Sequence, residues 1–408
     1  MPKLKEIPYK WELLGWLWVT FFLGQADRQV FNVVLPVMRD DLGLSDTQMG
    51  LIATMMMIAV GLMAPISGRL GDLKNRKHLI LFSTICWALA SLFTGCSSWL
   101  ILIILWRMLA AGGGEAFYAP SAFAAIGAWH KESRSRAMAI HQTSLYAGVV
   151  LAGYGAGYLG EHFGWRLPFL ISGGLGLLLS CVLLFRIKSM PVQNVHNVSN
   201  INIVNIFRQL LQKRSVLFFT LAFAGMVFST IGYLTWMPTF LHESFGLSLD
   251  KAGFHSLFWH HIAAFIGVLI GGKWTDSRMK RTRTARADVQ IIALMAATPF
   301  IIWMGQGSSL IMVGIALVGF GLFRGMYDTN IFAAVFDVLP ASMHSLAVGL
   351  MTLVAFVIAS LSPLILGWIK EVFSMETGLS LLSLGYLFGA LSIWLGARKA
   401  LLLEWESE

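Results

Sequence analysis

The feature that most constrains this chain is a succession of apolar stretches, many of which run for about 20 residues without a charged side chain. A helix of that length crosses the hydrocarbon core of a bilayer, whereas a membrane β-barrel would show short segments of alternating hydrophobicity. Charged residues make up only 12% of the chain, against roughly 25% in soluble domains. The chain is therefore predicted to be an all-α membrane protein.

We predict twelve transmembrane helices, called spans 1 to 12. Their predicted ranges are 12–38, 46–70, 78–97, 99–128, 134–160, 165–187, 214–241, 250–273, 288–305, 308–337, 344–372 and 376–397. The longest gap between spans is rich in Asn and Val (VQNVHNVSNINIVN), which is typical of a linker. The predicted domains are an N-terminal six-helix bundle (1–187), a cytoplasmic linker (188–213) and a C-terminal six-helix bundle (214–408).

Basic residues are distributed unevenly between the two ends of the spans. Of the 30 Lys and Arg residues, 23 fall on the side that holds both termini, four fall on the other side, and three lie inside spans. The positive-inside rule therefore predicts cytoplasmic termini and a multi-pass protein of the cell membrane. Topology also accounts for the net charge of +9, so no nucleic-acid partner is expected.

The sequence offers no candidate catalytic motif. It contains no G-x-x-x-x-G-K-[ST] loop, no G-x-S-x-G motif and no Cys/His cluster with metal-ligand spacing. We therefore expect neither an enzyme nor a bound cofactor or metal.

The two halves of the chain resemble each other. GRLGDLKNRK (68–77) follows span 2, and GKWTDSRMKR (272–281) follows span 8 at an offset of 204 residues, half the chain. A weaker echo links FYAPSAFAA (117–125) in span 4 with MYDTNIFAA (326–334) in span 10. Paired halves of this kind are the architecture of secondary transporters, which hold the substrate near the midplane.

GRLGDLKNRKHLI resembles the loop 2–3 signature of the major facilitator superfamily, and the resemblance extends over the whole chain. It implies the major facilitator fold, with two pseudo-symmetric six-helix bundles, cytoplasmic termini and alternating access. In that family the loop aspartate stabilises the outward-open state, a role that falls to Asp72 here. The resemblance and its second copy give four candidate gating residues: Gly68, Asp72, Arg76 and Asp276.

Two groups within the superfamily are similar to this chain. ADRQVFNVVLPVMRDDLGLS resembles helix 1 of the anion:cation symporters, which carry hexuronates, sugar acids and sialic acid. In that group an Asp-Arg pair supplies a proton-coupling carboxylate and a carboxylate-binding arginine, roles that fall to Asp27 and Arg28. GEAFYAPSAFAAIGAWHKESRSRAMA also resembles the spinster-like lipid carriers, which share the Asp-Arg pair. A lipid or lysolipid substrate is therefore the alternative.

Span 4 departs from the pattern of both groups. They usually place an arginine seven residues before a glutamate, whereas Arg107 lies eight before Glu115 here. One extra residue turns an ideal helix by about 100°. A bulge or kink at three consecutive glycines, 112–114, would absorb it.

Six charged side chains are predicted to lie inside spans. They are Asp27, Arg28, Arg107, Glu115, Arg324 and Asp328. Each would cost about 2.5–3.5 kcal/mol at the bilayer centre, so they must face a polar cavity or one another. We predict that Arg28 binds the anion through its planar guanidinium, and that Asp27 and Glu115 carry protons because burial favours a neutral carboxyl group.

Arg324 aligns with Glu115 in the half-repeat and is predicted to be a second anion contact. The alternative is that Arg324 and Asp328, four residues apart on one helix, only neutralise each other. Further candidate substrate contacts are Asn32, Tyr118, Gln142, Tyr327, Asn330 and His261. The predicted function is proton-coupled symport of a small organic anion by a monomer, with sodium in place of protons and the direction of transport left open.

Overall fold

The computed structural model describes residues 8–130, 133–189, 213–339 and 344–400, and within these ranges the chain is helical without a β-strand. The predicted all-α fold is confirmed. The predicted linker lies almost wholly outside the described residues, so the proposed domain boundaries stay a prediction.

The N-terminal spans are long helices, and span 4 is interrupted by a π-helical segment. Spans 1, 2 and 3 are Tyr9–Leu42, Asp46–Leu73 and Arg76–Cys96. Span 4 consists of Leu100–Met108, the π-helix Leu109–Glu115 and Ala116–Trp129. Spans 5 and 6 are Arg134–Phe163 and Arg166–Arg186.

In the C-terminal half, three uninterrupted helices are followed by three broken ones. Spans 7, 8 and 9 are Arg214–Phe245, Leu249–Met279 and Ala285–Gln306. Span 10 consists of Leu310–Asp328 and Ile331–Phe336, and span 11 of His344–Ala359 and Leu361–Val372. Span 12 consists of Met375–Leu381, Ser383–Ser392 and a second π-helix, Ile393–Ala397.

Ten of the described helical stretches are long and apolar enough to cross a membrane. Spans 1 and 5 are not among them, because polar side chains interrupt their apolar sequences. Span 1 carries Asp27 and Arg28, and span 5 carries His141 and Gln142. The less apolar spans therefore hold several of the predicted functional residues.

The chain forms two compact units. Among the described residues, the first unit comprises 8–42, 55–130, 133–189 and 248–254, and the second comprises 43–54, 213–247, 255–339 and 344–400. The first unit thus contains the beginning of span 8, and the second contains the beginning of span 2.

Close backbone contacts explain why the beginning of span 2 belongs to the second unit and the beginning of span 8 to the first. In the second unit, a Cβ added to Gly50 of span 2 would lie 2.3 Å from the carbonyl oxygen of Pro363 in span 11. In the first unit, a Cβ on Gly253 of span 8 would lie 2.2 Å from the carbonyl oxygen of Gly153 in span 5. Only glycine permits an approach this close, as is typical of small-residue packing between membrane helices.

Candidate functional site

The π-helix in span 4 accommodates the extra residue between Arg107 and Glu115. Its wider turn adds a residue without breaking the helix, and such segments often occur at functional sites. The glycines allow this segment to pack tightly, because a Cβ on Gly114 would lie 2.6 Å from the Cβ of Trp87 in span 3. The bulge expected from the sequence is therefore present, and both charged side chains reach span 1.

Asp27 and Arg107 form an ion pair in the interior of the first unit. Arg107 Nη1 lies 3.1 Å from Asp27 Oδ2, and the two side chains are only 1% and 4% exposed. The other carboxylate oxygen accepts hydrogen bonds from Ser91 and, at 2.6 Å, from Ser172. The guanidinium also lies over the ring of Phe169, 5.1 Å from its centroid. Spans 1, 3, 4 and 6 therefore meet at Asp27.

Arg28 points elsewhere and pairs with Glu115. Its Nη1 lies 2.6 Å from Glu115 Oε1, and each side chain is 25% exposed. Adjacent residues leave a helix about 100° apart, which is why Asp27 and Arg28 have different partners. Nη2 of Arg28 lies 3.3 Å from the sulfur of Met57. Of the two ion pairs, this is the one that an incoming anion or proton reaches more easily.

A pocket adjoins both ion pairs in the first unit. Its lining includes charged, aromatic and small residues: Thr20, Phe21, Gly24, Gln25, Asp27, Arg28, Met56, Trp87, Arg107, Ala110, Ala111, Gly114, Glu115 and Tyr118. The predicted anion-binding arginine and both predicted proton carriers therefore border one cavity. Arg107, whose role was left open by the sequence analysis, borders it as well.

Three other predicted contacts in this half have different surroundings. The hydroxyl of Tyr118 donates to the carbonyl of Leu17 at 2.5 Å, so His141 Nε2, 3.2 Å away, must donate to the Tyr118 oxygen. Asn32 is buried and donates its amide to Gln29 at 2.8 Å. Gln142 is exposed and is absent from the pocket lining. Tyr118 borders the pocket, and its hydroxyl is engaged in packing span 4 against span 1.

A second polar cluster surrounds Arg324 in the second unit. Its Nη1 lies 3.0 Å from His260 Nε2, and its Nε lies 3.5 Å from Asp328 Oδ2. The ring of His260 packs against Tyr233 and Phe320, with centroids 4.8 and 4.5 Å away. The sequence identified Arg324 but gave no signal that His260 contacts it.

The remaining predicted contacts of span 10 and span 8 lie nearby. His261 Nδ1 is 2.7 Å from the carbonyl oxygen of Leu257 and therefore donates to it. Tyr327 is buried, and its hydroxyl has no hydrogen-bond partner in the part of the chain that the structure describes. Asn330 donates to Thr275 at 2.9 Å and so connects span 10 to span 8.

The predicted gating residues are partly described. Gly68 and Asp72 belong to the helix of span 2, but the surroundings of Gly68 and of the Asp72 side chain lie outside what the structure describes, and Asp276 is exposed. Arg76 donates to the carbonyl of Ala124 at 3.3 Å.

The second half repeats this arginine contact, with Arg286 donating to the carbonyl of Ala333 at 3.0 Å. Ala124 and Ala333 occupy the same position in the two echoed sequences of spans 4 and 10. The sequence repeat thus corresponds to a repeated contact, although Arg286 was not predicted to take part in it.

Among the described residues, no group of three or more His, Cys, Asp or Glu side chains is placed to hold a metal ion. The polar clusters contain arginine and carboxylate groups instead. Arginine is a binding group for anions, and a carboxylate inside a membrane is a candidate group for proton transfer.

Comparison with known proteins supports a transporter. The family model described as Major Facilitator Superfamily matches residues 17–363. The chain is 25% identical over 401 residues to the "Probable galactarate/D-glucarate transporter GudP" of Bacillus subtilis, covering 90% of this chain and 87% of that protein. It is also 25% identical over 398 residues to the "Sphingosine-1-phosphate transporter SPNS2" of Xenopus tropicalis, covering 91% and 77% of the two chains.

Among solved structures, the chain is similar to a bacterial homologue of the human lysosomal transporter Spinster, crystallised in an inward-facing and unoccupied conformation. The TM-score is 0.84 at 19% identity, with 97% of this chain and 98% of that chain covered. This likeness supports the major facilitator fold.

Proposed function

Because this chain belongs to the Major Facilitator Superfamily and is a multi-pass secondary transporter, not an enzyme, we propose that it is a proton-coupled symporter of a small organic anion, with a sugar acid as the substrate class. The Bacillus subtilis relative is named as a probable transporter of galactarate and D-glucarate, which are sugar acids. The observation that carries the proposal is the partly exposed Arg28–Glu115 pair at the pocket.

The pair provides a direct way to couple the two ligands. A carboxylate substrate and Glu115 would compete for the same guanidinium, which holds a carboxylate through two parallel hydrogen bonds. When Glu115 takes up a proton, its attraction to Arg28 falls and the arginine can bind the substrate anion. Proton uptake and anion binding therefore favour each other, which is the linkage that symport requires.

Asp27 is proposed as the second proton carrier. It borders the pocket, but its charge is stabilised by Arg107 and by two serine hydroxyls. Protonation of Asp27 would leave Arg107 buried without its counter-charge, so we expect it to occur only together with a rearrangement of span 4. The proposal also includes Arg324 as a second anion contact and Asp72 as part of the gate.

A lysolipid carrier is the second candidate, since the match to the sphingosine-1-phosphate transporter covers 91% of the chain. The headgroup of such a lipid is also anionic and could bind Arg28. The two candidates differ in whether a long acyl chain is needed for recognition.

Counterflow in proteoliposomes tests the proposal. Purified protein is reconstituted with internal unlabelled D-glucarate, and uptake of labelled D-glucarate, galactarate, a hexuronate and a lysophospholipid is measured. We expect exchange of a sugar acid, at least tenfold slower in Arg28→Ala and partly retained in Arg28→Lys, which keeps the charge but not the fork. Arg39→Ala, on the same helix and outside the pocket lining, serves as the control. Unaltered exchange in Arg28→Ala would refute the assignment, and exchange of the lysolipid alone would favour the second candidate.

A further inference from the structure

The hydroxyl group of Tyr327 differs from the polar groups of the other predicted substrate contacts in the second unit. His261 donates to the carbonyl of Leu257, and the side-chain amide of Asn330 donates to Thr275. Tyr327 is 1% exposed, and within the described ranges its hydroxyl has no hydrogen-bond partner. A buried hydroxyl in this state has lost its hydrogen bonds to water without replacing them, which is unfavourable and calls for an explanation.

Other buried tyrosines of this chain use their hydroxyl groups to connect two spans. The hydroxyl of Tyr233 in span 7 donates to the carbonyl of Ser256 in span 8. In the first unit, the hydroxyl of Tyr118 in span 4 donates to the carbonyl of Leu17 in span 1. The hydroxyl of Tyr327 makes no such connection to a described residue. Packing alone therefore does not account for it, because a phenylalanine would fill the same space without burying a polar group.

Tyr327 lies on the face of span 10 that carries the proposed second anion contact. Arg324 precedes it by three residues and Asp328 follows it directly, so the three side chains leave the helix within about 100° of one another. The side chains of Arg324 and Asp328 are 20% and 30% exposed, so this face is partly accessible on both sides of the tyrosine. Because the hydroxyl makes no described hydrogen bond, a rotation of Tyr327 toward that accessible surface breaks none.

We propose that Tyr327 binds a hydroxyl group of the substrate, next to the carboxylate that Arg324 binds, and thereby selects hydroxylated acids. In a sugar acid, the carbon beside the carboxylate carries a hydroxyl group. Residues three apart on a helix have Cβ atoms about 5–6 Å apart, so Arg324 and Tyr327 suit two neighbouring groups of one ligand. A phenol both donates and accepts, as a sugar hydroxyl does. This inference rests on the proposed function and specifies its substrate class as α-hydroxy carboxylates.

Selectivity follows from the buried position of the phenol. An acid without hydroxyl groups leaves Tyr327 without a partner in the bound state, whereas a hydroxylated acid supplies one. A site that hydrogen-bonds a substrate hydroxyl discriminates against analogues that lack it for this reason. One neutral hydrogen bond of ordinary strength corresponds to a difference of about three- to tenfold in affinity.

Inhibition of counterflow measures this selectivity. Full-length protein in proteoliposomes exchanges labelled D-glucarate, and unlabelled D-glucarate or adipate is added as the inhibitor. Adipate has the carbon chain and both carboxylates of D-glucarate but none of its hydroxyl groups. In Tyr327→Phe, we expect the half-inhibitory concentration of D-glucarate to rise about three- to tenfold and that of adipate to change by less than about twofold. Tyr154→Phe is the matched control, because Tyr154 is 51% exposed and outside the cluster, and it should keep the wild-type values.

Thermal unfolding separates this role from a structural one. Tyr327→Phe removes a hydroxyl without a described partner, so its melting temperature should equal or exceed that of the wild type. Tyr233→Phe removes a bonded hydroxyl and should melt at a lower temperature.

Two results would overturn the inference while leaving the proposed function intact. One is an unchanged ratio of the two inhibitory concentrations in a Tyr327→Phe protein that still exchanges D-glucarate. The other is a melting temperature of Tyr327→Phe that falls as far as that of Tyr233→Phe, which would assign the hydroxyl to folding. Wild-type protein that exchanges no sugar acid would instead refute the proposed function itself.

Discussion

The two ion pairs of the first unit should differ sharply in their contribution to stability. Asp27→Asn removes the counter-charge of Arg107, whose side chain is 1% exposed. Breaking a buried pair by removing one partner costs about 3–5 kcal/mol, because the remaining charge stays desolvated. Glu115→Gln removes one member of a pair whose side chains are 25% exposed, and such pairs contribute about 1 kcal/mol or less.

These free-energy differences correspond to clearly different melting temperatures for the two variants. One kcal/mol shifts the midpoint by roughly 2–4 °C for a unit of this size, so Asp27→Asn is expected to lower it by roughly 6–20 °C and Glu115→Gln by less than roughly 4 °C. The chain has 15 tryptophans, including Trp87 beside the pocket, so intrinsic fluorescence in detergent can follow unfolding.

A double variant checks the cause of the effect. Asp27→Asn/Arg107→Gln removes both charges and should recover much of the loss, since no uncompensated cation remains. Equal shifts for Asp27→Asn and Glu115→Gln would contradict the account, as would a double variant less stable than Asp27→Asn alone.

Two other predictions concern close packing and one concerns a buried hydroxyl. Gly114→Ala is expected to cost about 1–3 kcal/mol in thermal stability, because its Cβ would lie 2.6 Å from that of Trp87, whereas Gly155→Ala has open space and should melt like the wild type. Gly50→Ala would place a Cβ 2.3 Å from the Pro363 carbonyl oxygen, so counterflow is expected to slow while Gly314→Ala, also in open space, leaves it unaltered. Tyr118→Phe removes the hydroxyl that donates to the Leu17 carbonyl and accepts from His141 Nε2, so it should cost about 1–3 kcal/mol in a melt, and an unchanged midpoint would contradict that role.

The sequence predicted the fold well because each membrane-spanning helix requires a long run of apolar residues, which is easily seen in a sequence. Apolar length located the helices, whereas the topology inferred from the distribution of Lys and Arg stays a prediction. The spacing of Arg107 and Glu115, together with the adjacent glycines, even predicted the irregular turn in span 4. Each of these features depends on residues close together in the chain.

The partners of the charged residues were harder to predict, because they come from distant spans. Ser91 and Ser172 bond to Asp27, but no pattern distinguishes them from other serines in apolar helices. His261 was the predicted substrate contact, whereas its neighbour His260 contacts Arg324. Adjacent residues on a helix point about 100° apart. Because a span that is buried on several sides has no single apolar face, its sequence does not show which of the two histidines points toward Arg324.

Internal acidification during anion uptake tests the central claim most directly. Proteoliposomes loaded with a pH-sensitive dye receive external D-glucarate, and lumenal pH is recorded alongside labelled uptake. The account predicts acidification with wild-type protein, and counterflow with much reduced acidification in Glu115→Gln, whose amide mimics the protonated acid. Glucarate uptake by wild-type protein without any change in lumenal pH would contradict proton coupling through the Arg28–Glu115 pair.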